Sequence, residues 1–354
     1  MEILKRRFEV DTELEIDPYA YAELAGYQID RQDMKDVQEL LFRAKDVDDS
    51  IPEIHYQLAK LFNITDEGVE EDKALNKTLL NLENLQTLNR RNREIKIDTY
   101  RRQGERFYIN QEYLQAEEVY LKGIALLSES RDRNIIKGKY SVYGELFADL
   151  GHIYYYISNN PDKALDLYET AEDEGFYSHE IYYNKGNIRY RNGGFREALL
   201  DFYNAAGSFS VNTNLLQATA NTLYQRNDYF AAQGYYNHLL DILEMKKDRE
   251  FSIRIDERED HRMMVDSLMK AYNNMGVTLY GLFERTGDPS KFTAAILSFT
   301  QSNEYFDSLT RDPETLNRTD MINLASLNQR KMLYPIPNYE LQIFADIPKY
   351  LVPR

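Results

Sequence analysis

The stretch YNKGNIRYRNGGFREALLDFYNAA, residues 183–206, decides the fold of this 354-residue chain. It has a small residue at Gly186, a tyrosine four residues later, a Gly-Gly break, and then Ala198, Phe202 and Ala205 at helical spacing. The break separates two segments whose apolar residues recur at steps of three and four. The stretch therefore predicts two short helices joined by a tight turn.

The same spacing recurs along the chain with a period near 34 residues. Its clear copies are Ala220, Tyr224, Ala232, Tyr236 and Leu239; Gly151, Tyr155, Ala164, Tyr168 and Ala171; and Gly104, Tyr108, Ala116, Tyr120 and Gly123. The second of these copies has one extra residue, which we expect in its NNPDK turn. Weaker copies begin at Ala25, Ala59 and Gly276. A single helix pair buries only one face, so such copies must stack to bury the rest.

This pattern resembles the tetratricopeptide repeat (TPR) family over about residues 17–305. The resemblance implies an all-α fold, a right-handed superhelical solenoid of about seven helix pairs. A C-terminal capping helix and an extended tail are expected to complete it. We expect a lead-in at 1–16, the repeat solenoid at 17–310 with a long charged insertion near 244–264, and the cap and extended segment at 311–350. The last residues, LVPR at 351–354, match half of a thrombin site and are interpreted as a tag remnant.

Two segments depart from the period. After the charged insertion, apolar residues from Val265 to Tyr280 recur at steps of three and four, which predicts an unusually long first helix projecting beyond the stack. Such a helix could be a solvated extension or a docking arm. The tail LYPIPNYELQIFADIPKY, residues 333–350, has three prolines and alternating apolar residues and is predicted to be extended. It either packs along the stack or leads into a further segment, and its apolar residues favour packing.

Composition argues against several function classes. The 59 acidic residues outnumber the 43 Lys and Arg, and a net charge of −16 repels phosphate backbones, so nucleic acid is not an expected partner. The partners that this charge favours are basic protein surfaces or extended peptides. With no cysteine and five scattered histidines, neither a metal site nor a nucleophile–base set is predicted. We expect no enzyme activity, no cofactor and no membrane span.

In the resembled family, the first helix of each repeat lines a concave face on which ligands usually lie. This implies twelve protein- or peptide-binding residues: Tyr108, His152, Tyr155, Tyr156, Tyr183, Asn187, Tyr190, Arg191, Gln217, Asn221, Tyr224 and Tyr280. The tyrosine four residues after the small position recurs in five of the copies and could equally pack between helices. Asn187 and Asn221 are equivalent, and amides so placed can hold the backbone of an extended peptide.

The family's clamp for acidic chaperone tails is incomplete here. It requires lysine and asparagine on one repeat, asparagine on the next, and lysine with arginine on the third. The residue one turn before Asn187 is Tyr183, and the next repeats offer Ala218, Lys270 and Asn274. An acidic chaperone tail is therefore a disfavoured ligand.

The leading hypothesis is a non-enzymatic scaffold for protein–protein interaction in a multiprotein assembly, with self-association left open. More specifically, residues 221–244 resemble spirochaetal flagellar collar proteins, which implies a periplasmic scaffold at the flagellar motor. A cytoplasmic location is the alternative. The rival hypothesis is a receptor or regulator that binds a peptide or a small molecule in the concave groove.

Overall fold

A computed structural model describes residues 17–207, 212–250, 258–311, 323–334 and 336–350, without the side chains of 248–250, 258–261 and 311. The chain divides into two compact units, Met1–Tyr177 and Ser178–Arg354. The helices of unit 1 are α1 (Pro18–Asp30), α2 (Val37–Val47), α3 (Pro52–Ile64), α4 (Gly68–Glu83), α5 (Arg90–Ile109), α6 (Tyr113–Asp132), α7 (Ser141–His152) and α8 (Pro161–Asp173). Those of unit 2 are α9 (His179–Arg191), α10 (Phe195–Ala206), α11 (Thr213–Gln225), α12 (Tyr229–Glu250), α13 (Arg258–Thr286), α14 (Pro289–Arg311) and α15 (Leu324–Leu333).

Each odd-numbered helix up to α13 packs against the even-numbered helix that follows it. Among the described residues this makes seven helix pairs with α15 after them. The predicted all-α fold of TPR-like helix pairs is confirmed. None of the described helices is long and apolar enough to cross a membrane.

The glycines at the small position of the repeat lie against aromatic rings. A Cβ atom added to Gly186 would stand 2.6 Å from the Phe202 ring, so only glycine lets α9 and α10 meet this closely. The same contact joins Gly104 to Tyr120, Gly151 to Tyr168, and Gly276 to Phe299. The period in the sequence is therefore a packing period, set where the two helices of a pair touch.

The extra residue of the Gly151 copy does not lengthen the turn, contrary to our expectation. It is absorbed by a π-helical turn, Ile153–Ile157, at the end of α7. There the Ser158 N–H donates to the Ile153 carbonyl, five residues back, at 3.0 Å. The wider turn leaves Asn160 in place to cap α8 through the Lys163 N–H.

The predicted long first helix is α13, with 29 residues. Its predicted projection beyond the stack is wrong for the part whose side chains are described. The neighbouring helices are lengthened too, α12 to 22 residues and α14 to 23. They share one buried cluster with Val265, Leu268 and Met269 of α13. Residues 251–257 of the charged insertion lie outside the described residues, as do the predicted lead-in at 1–16 and the LVPR end.

Candidate functional site

The C-terminal tail, residues 341–350, lies along unit 2 without regular secondary structure. Leu341, Ile343 and Phe344 pack against the core cluster built by α12, α13 and α14. Ile347 is 5% exposed and belongs to a second cluster with Tyr183 and Tyr190 of α9. Of the two alternatives for the tail, the structure has the packed one.

Every second carbonyl of the tail is held by side chains of α9, α11, α13 and α15. In an extended chain the N–H and C=O groups of alternate residues point to the same side. The contacts are Asn328 Nδ2 (2.8 Å) and Asn273 Nδ2 (3.1 Å) to Gln342 O; Asn221 Nδ2 and Asn274 Nδ2 (both 3.0 Å) to Phe344 O; Gln217 Nε2 (3.1 Å) to Asp346 O; Asn187 Nδ2 (3.0 Å) and the Tyr183 hydroxyl to Pro348 O; and Asn214 Nδ2 (2.7 Å) to Tyr350 O. The tail thus runs from α15 to α9, opposite to the order of the repeats.

Two of the asparagines, Asn274 and Asn328, each bind both the N–H and the C=O of a single tail residue. Asn274 Oδ1 accepts the Phe344 N–H at 2.7 Å, and Asn328 Oδ1 accepts the Gln342 N–H at 3.0 Å. Each of these residues therefore has its N–H and its C=O held by a single asparagine. This is recognition of main chain, and it does not depend on the side chain at the bound position.

The asparagines are also bonded to one another. We call the set Asn187, Asn221, Asn273, Asn274 and Asn328 the asparagine ladder; all five are buried. Asn274 Nδ2 donates to Asn221 Oδ1 at 3.1 Å, and Asn328 Nδ2 donates to Asn273 Oδ1 at 2.9 Å. The buried Tyr236 hydroxyl also donates to Asn221 Oδ1, at 2.6 Å. Such a network fixes the direction in which the amides of Asn221, Asn273, Asn274 and Asn328 point before a backbone is bound, and Asn187 lies outside it.

Helical spacing places these groups on one face. On α9, Tyr183, Asn187 and Tyr190 are four and three residues apart, which puts them on the same side of the helix. The Tyr190 hydroxyl donates to the Ala345 carbonyl at 3.0 Å. Burial raises the pKa of Tyr190 to about 12, so this hydroxyl keeps its proton and acts as a donor at neutral pH.

Of the twelve residues predicted for the concave face, five contact the tail: Tyr183, Asn187, Tyr190, Gln217 and Asn221. Arg191 is exposed at the end of α9, near Lys349, whose pKa is lowered by burial and by the charge of Arg191. The structure therefore brings half of the predicted residues to one place in unit 2. That a partner binds them stays a prediction.

The recurrent tyrosines mostly pack within their own helix pair. Three contact the ring of the first residue of the following helix, edge-on or tilted, with ring centroids 5.3–5.4 Å apart: Tyr108 with Tyr113, Tyr190 with Phe195, and Tyr224 with Tyr229. Tyr280 lies 6.0 Å from Phe283 and 6.5 Å from Phe292. In these positions the ring packs across the turn between two helices, and the Tyr190 hydroxyl also reaches the tail.

Three predicted residues form an aromatic group in unit 1. His152 Nδ1 lies 2.9 Å from the Tyr168 hydroxyl, and its ring stacks on Tyr156 at 5.7 Å. Tyr155 is buried, with its ring 4.8 Å from Tyr156. Within the described ranges no group of three histidines or acidic residues converges as a metal site would require.

The sequence pattern missed Asn214, Asn273, Asn274 and Asn328, and it missed the tail as their occupant. The residue of α13 equivalent to Asn187 and Asn221 is Val277, and the amides lie one turn before it. Asn328 is in α15, beyond the reach of the repeat spacing. The available signal was the run of asparagines at positions flanked by apolar residues, where a buried amide needs a partner.

No family model matches the sequence, and no curated protein matches it. Among solved structures, the apo form of the quorum sensor NprR from B. thuringiensis is similar at 14% identity, covering 94% of this chain and 92% of its own, with a TM-score of 0.49. PilF of Pseudomonas aeruginosa is 18% identical, covering 63% and 90%, with a TM-score of 0.48. The C-terminal part of a TPR repeat-containing protein from Cytophaga hutchinsonii is 12% identical, covering 85% and 100%, with a TM-score of 0.47.

Proposed function

We propose that this chain is a non-enzymatic scaffold that binds extended segments of other proteins along the first helices of unit 2. The observation that carries the proposal is the asparagine ladder, which holds alternate residues of an extended chain by their main-chain groups. Recognition of this kind supplies affinity through the backbone and leaves most side chains of the bound segment free. It suits a protein that must hold segments of partners in an assembly.

The chemistry of the groove supports binding over catalysis. Its polar groups are amides, together with tyrosine hydroxyls such as that of Tyr190, whose raised pKa keeps it protonated. Amides neither gain nor lose protons near neutral pH, so they position a ligand and transfer nothing to it. Amides repeated along successive helices match the regularly spaced carbonyl groups of an extended polypeptide, which a compact metabolite lacks. This disfavours a small-molecule receptor.

The flagellar collar is the more specific proposal, and a periplasmic location comes with it. It rests on the resemblance of residues 221–244 with the charged insertion that follows them, and on the absence of cysteine from the sequence. Electron cryotomography of source cells that lack this protein tests it, since the proposal expects the collar density around the motor to be reduced. A motor with an unchanged collar would exclude this role and leave the peptide-binding proposal standing.

Peptide binding can be tested on the full chain after the tail is displaced. Ile347→Asp places a charge in the buried cluster with Tyr183 and Tyr190 and should release the tail from α9. A labelled peptide of residues 338–350 is then expected to bind at least about tenfold more tightly than it binds the unchanged chain, where the tethered tail competes at millimolar effective concentration. Fluorescence anisotropy measures both affinities.

The matched control is the same peptide N-methylated at Gln342 and Phe344, the two residues whose N–H groups the ladder accepts. It keeps every side chain and should bind at least about tenfold more weakly. Equal binding of the two peptides, or no binding to the Ile347→Asp chain, would contradict main-chain recognition by the ladder.

A further inference from the structure

One member of the asparagine ladder is only half satisfied. Asn187 is fully buried, and its Nδ2 donates to the Pro348 carbonyl at 3.0 Å. Its Oδ1 is buried as well, and no donor among the described residues reaches it. The orientation of this amide is fixed, because a carbonyl oxygen can accept only from the NH2 side.

Two features together leave Asn187 Oδ1 without a donor, one in the helix pair and one in the tail. Asn274 and Asn328 each bind the C=O of a tail residue through Nδ2 and the N–H of the same residue through Oδ1. At Asn187 the bound residue is Pro348, whose ring nitrogen carries no hydrogen. Asn221, the equivalent amide of the next pair, has its Oδ1 supplied by the Tyr236 hydroxyl and by Asn274. Beside Asn187 the residue equivalent to Tyr236 is Phe202, which has no donor, so the bound segment is left to supply one.

Nothing else on α9 takes the place of the missing donor. The Tyr183 hydroxyl, which lies on the same face, donates to the Pro348 carbonyl and not to Asn187. A buried acceptor without a donor disfavours the bound state, so the tail is a poorer ligand than the groove can accept. The residue just before the proline fits well, since Ile347 is buried beside Tyr183, Tyr190 and Ala218.

We propose that the ligand of this groove is an extended segment of a partner protein with an aliphatic residue at the Ile347 position, followed directly by a residue other than proline. The tail is the weaker stand-in that this segment displaces. The inference rests on the proposed function, because it names the class of segment that the same groove binds. Asn187 is then the residue that distinguishes the partner segment from the tail, through the N–H that only the partner segment supplies.

The test compares two labelled peptides of residues 338–350 on the full-length Ile347→Asp chain. In one, Pro348→Ala supplies an N–H; in the other, N-methylalanine replaces Pro348 and supplies none. Neither has the proline ring, so the pair differs in the N–H and the methyl group that replaces it. The alanine peptide is expected to bind about five- to tenfold more tightly by fluorescence anisotropy. On a chain that also carries Asn187→Ala, the two peptides should bind alike.

The outcomes separate the two proposals. Equal affinities of the two peptides for the chain with Asn187 overturn this inference, while their binding still supports the proposed function. Failure of both peptides to bind overturns both. If the full chain with Pro348→Ala forms a dimer by exchanging tails, the occupant is a second copy of this chain and the partner segment proposed here is wrong. The peptide comparison does not depend on the folding of the Asn187→Ala chain.

Discussion

Replacing Asn274 by leucine is expected to free the middle of the tail. The change removes the acceptor of the Phe344 N–H, one donor to the Phe344 carbonyl, and one donor to Asn221 Oδ1, all in buried surroundings. Losing several bonds of a buried network costs more than one exposed hydrogen bond, on the order of 3 kcal/mol. Hydrogen exchange at Phe344 should therefore become about 100-fold faster, as measured by mass spectrometry of the full chain.

Asn303→Leu is the matched control, because Asn303 belongs to the neighbouring helix α14 and donates to Gln329 rather than to the tail. It should change exchange at Phe344 less than about threefold, since distant sites act independently. Leucine is a good helix former, so the backbone amides of α13 should stay protected from hydrogen exchange in the Asn274→Leu chain. That protection would show that unit 2 is still folded. Unchanged exchange at Phe344 would mean that the apolar contacts, and not the ladder, hold the tail.

The fold was readable from the sequence because its period is a steric requirement. Where Gly186 meets Phe202, a side chain on the first helix would overlap the ring, and the same demand recurs at Gly104, Gly151 and Gly276. A constraint repeated at fixed spacing leaves a pattern that one sequence can reveal. The π turn at Ile153 was not predictable in this way, because an extra residue can be absorbed either in a helix end or in a loop.

The candidate site was predictable only in part, for a related reason. Asn187 and Asn221 stand next to a small position and follow the period, whereas Asn274 lies one turn earlier and Asn328 lies outside it. Tail binding needs only that an amide reach a carbonyl, and different helices meet that need from positions one turn apart. The occupant itself lies more than 120 residues from Asn221, and no local pattern links the two segments.

Unit 1 holds a buried charge cluster that has no counterpart in the sequence pattern. The two carboxylate oxygens of Asp98 each lie 2.8 Å from an arginine Nε, one from Arg101 and the other from Arg102. The Tyr56 hydroxyl of α3 donates to the same carboxylate at 2.7 Å. Burial alone would raise the pKa of Asp98, but the charges of Arg101 and Arg102 outweigh it and hold this pKa well below its ordinary value. Arg101 also lies 3.3 Å from Glu145 of α7, so the cluster joins three first helices.

Asp98→Asn keeps the size of the side chain and leaves two buried arginines without the carboxylate between them. We expect the free energy of unfolding of unit 1 to fall by about 3–5 kcal/mol at neutral pH, measured by urea denaturation with hydrogen exchange of α5 as the local probe.

Asp72→Asn is the control. Asp72 also faces an arginine Nε, at 3.0 Å, but its side chain is 41% exposed, so the loss should stay below about 1 kcal/mol. Because the pKa of Asp98 is lower in the folded state, its stabilisation is present above its ordinary pKa of 3.8 and is lost as the pH falls further. The difference between the unchanged chain and Asp98→Asn should therefore shrink below about pH 4, while other groups with shifted pKa values are common to both proteins. A difference that stays constant into that range would show that charge is not what Asp98 contributes.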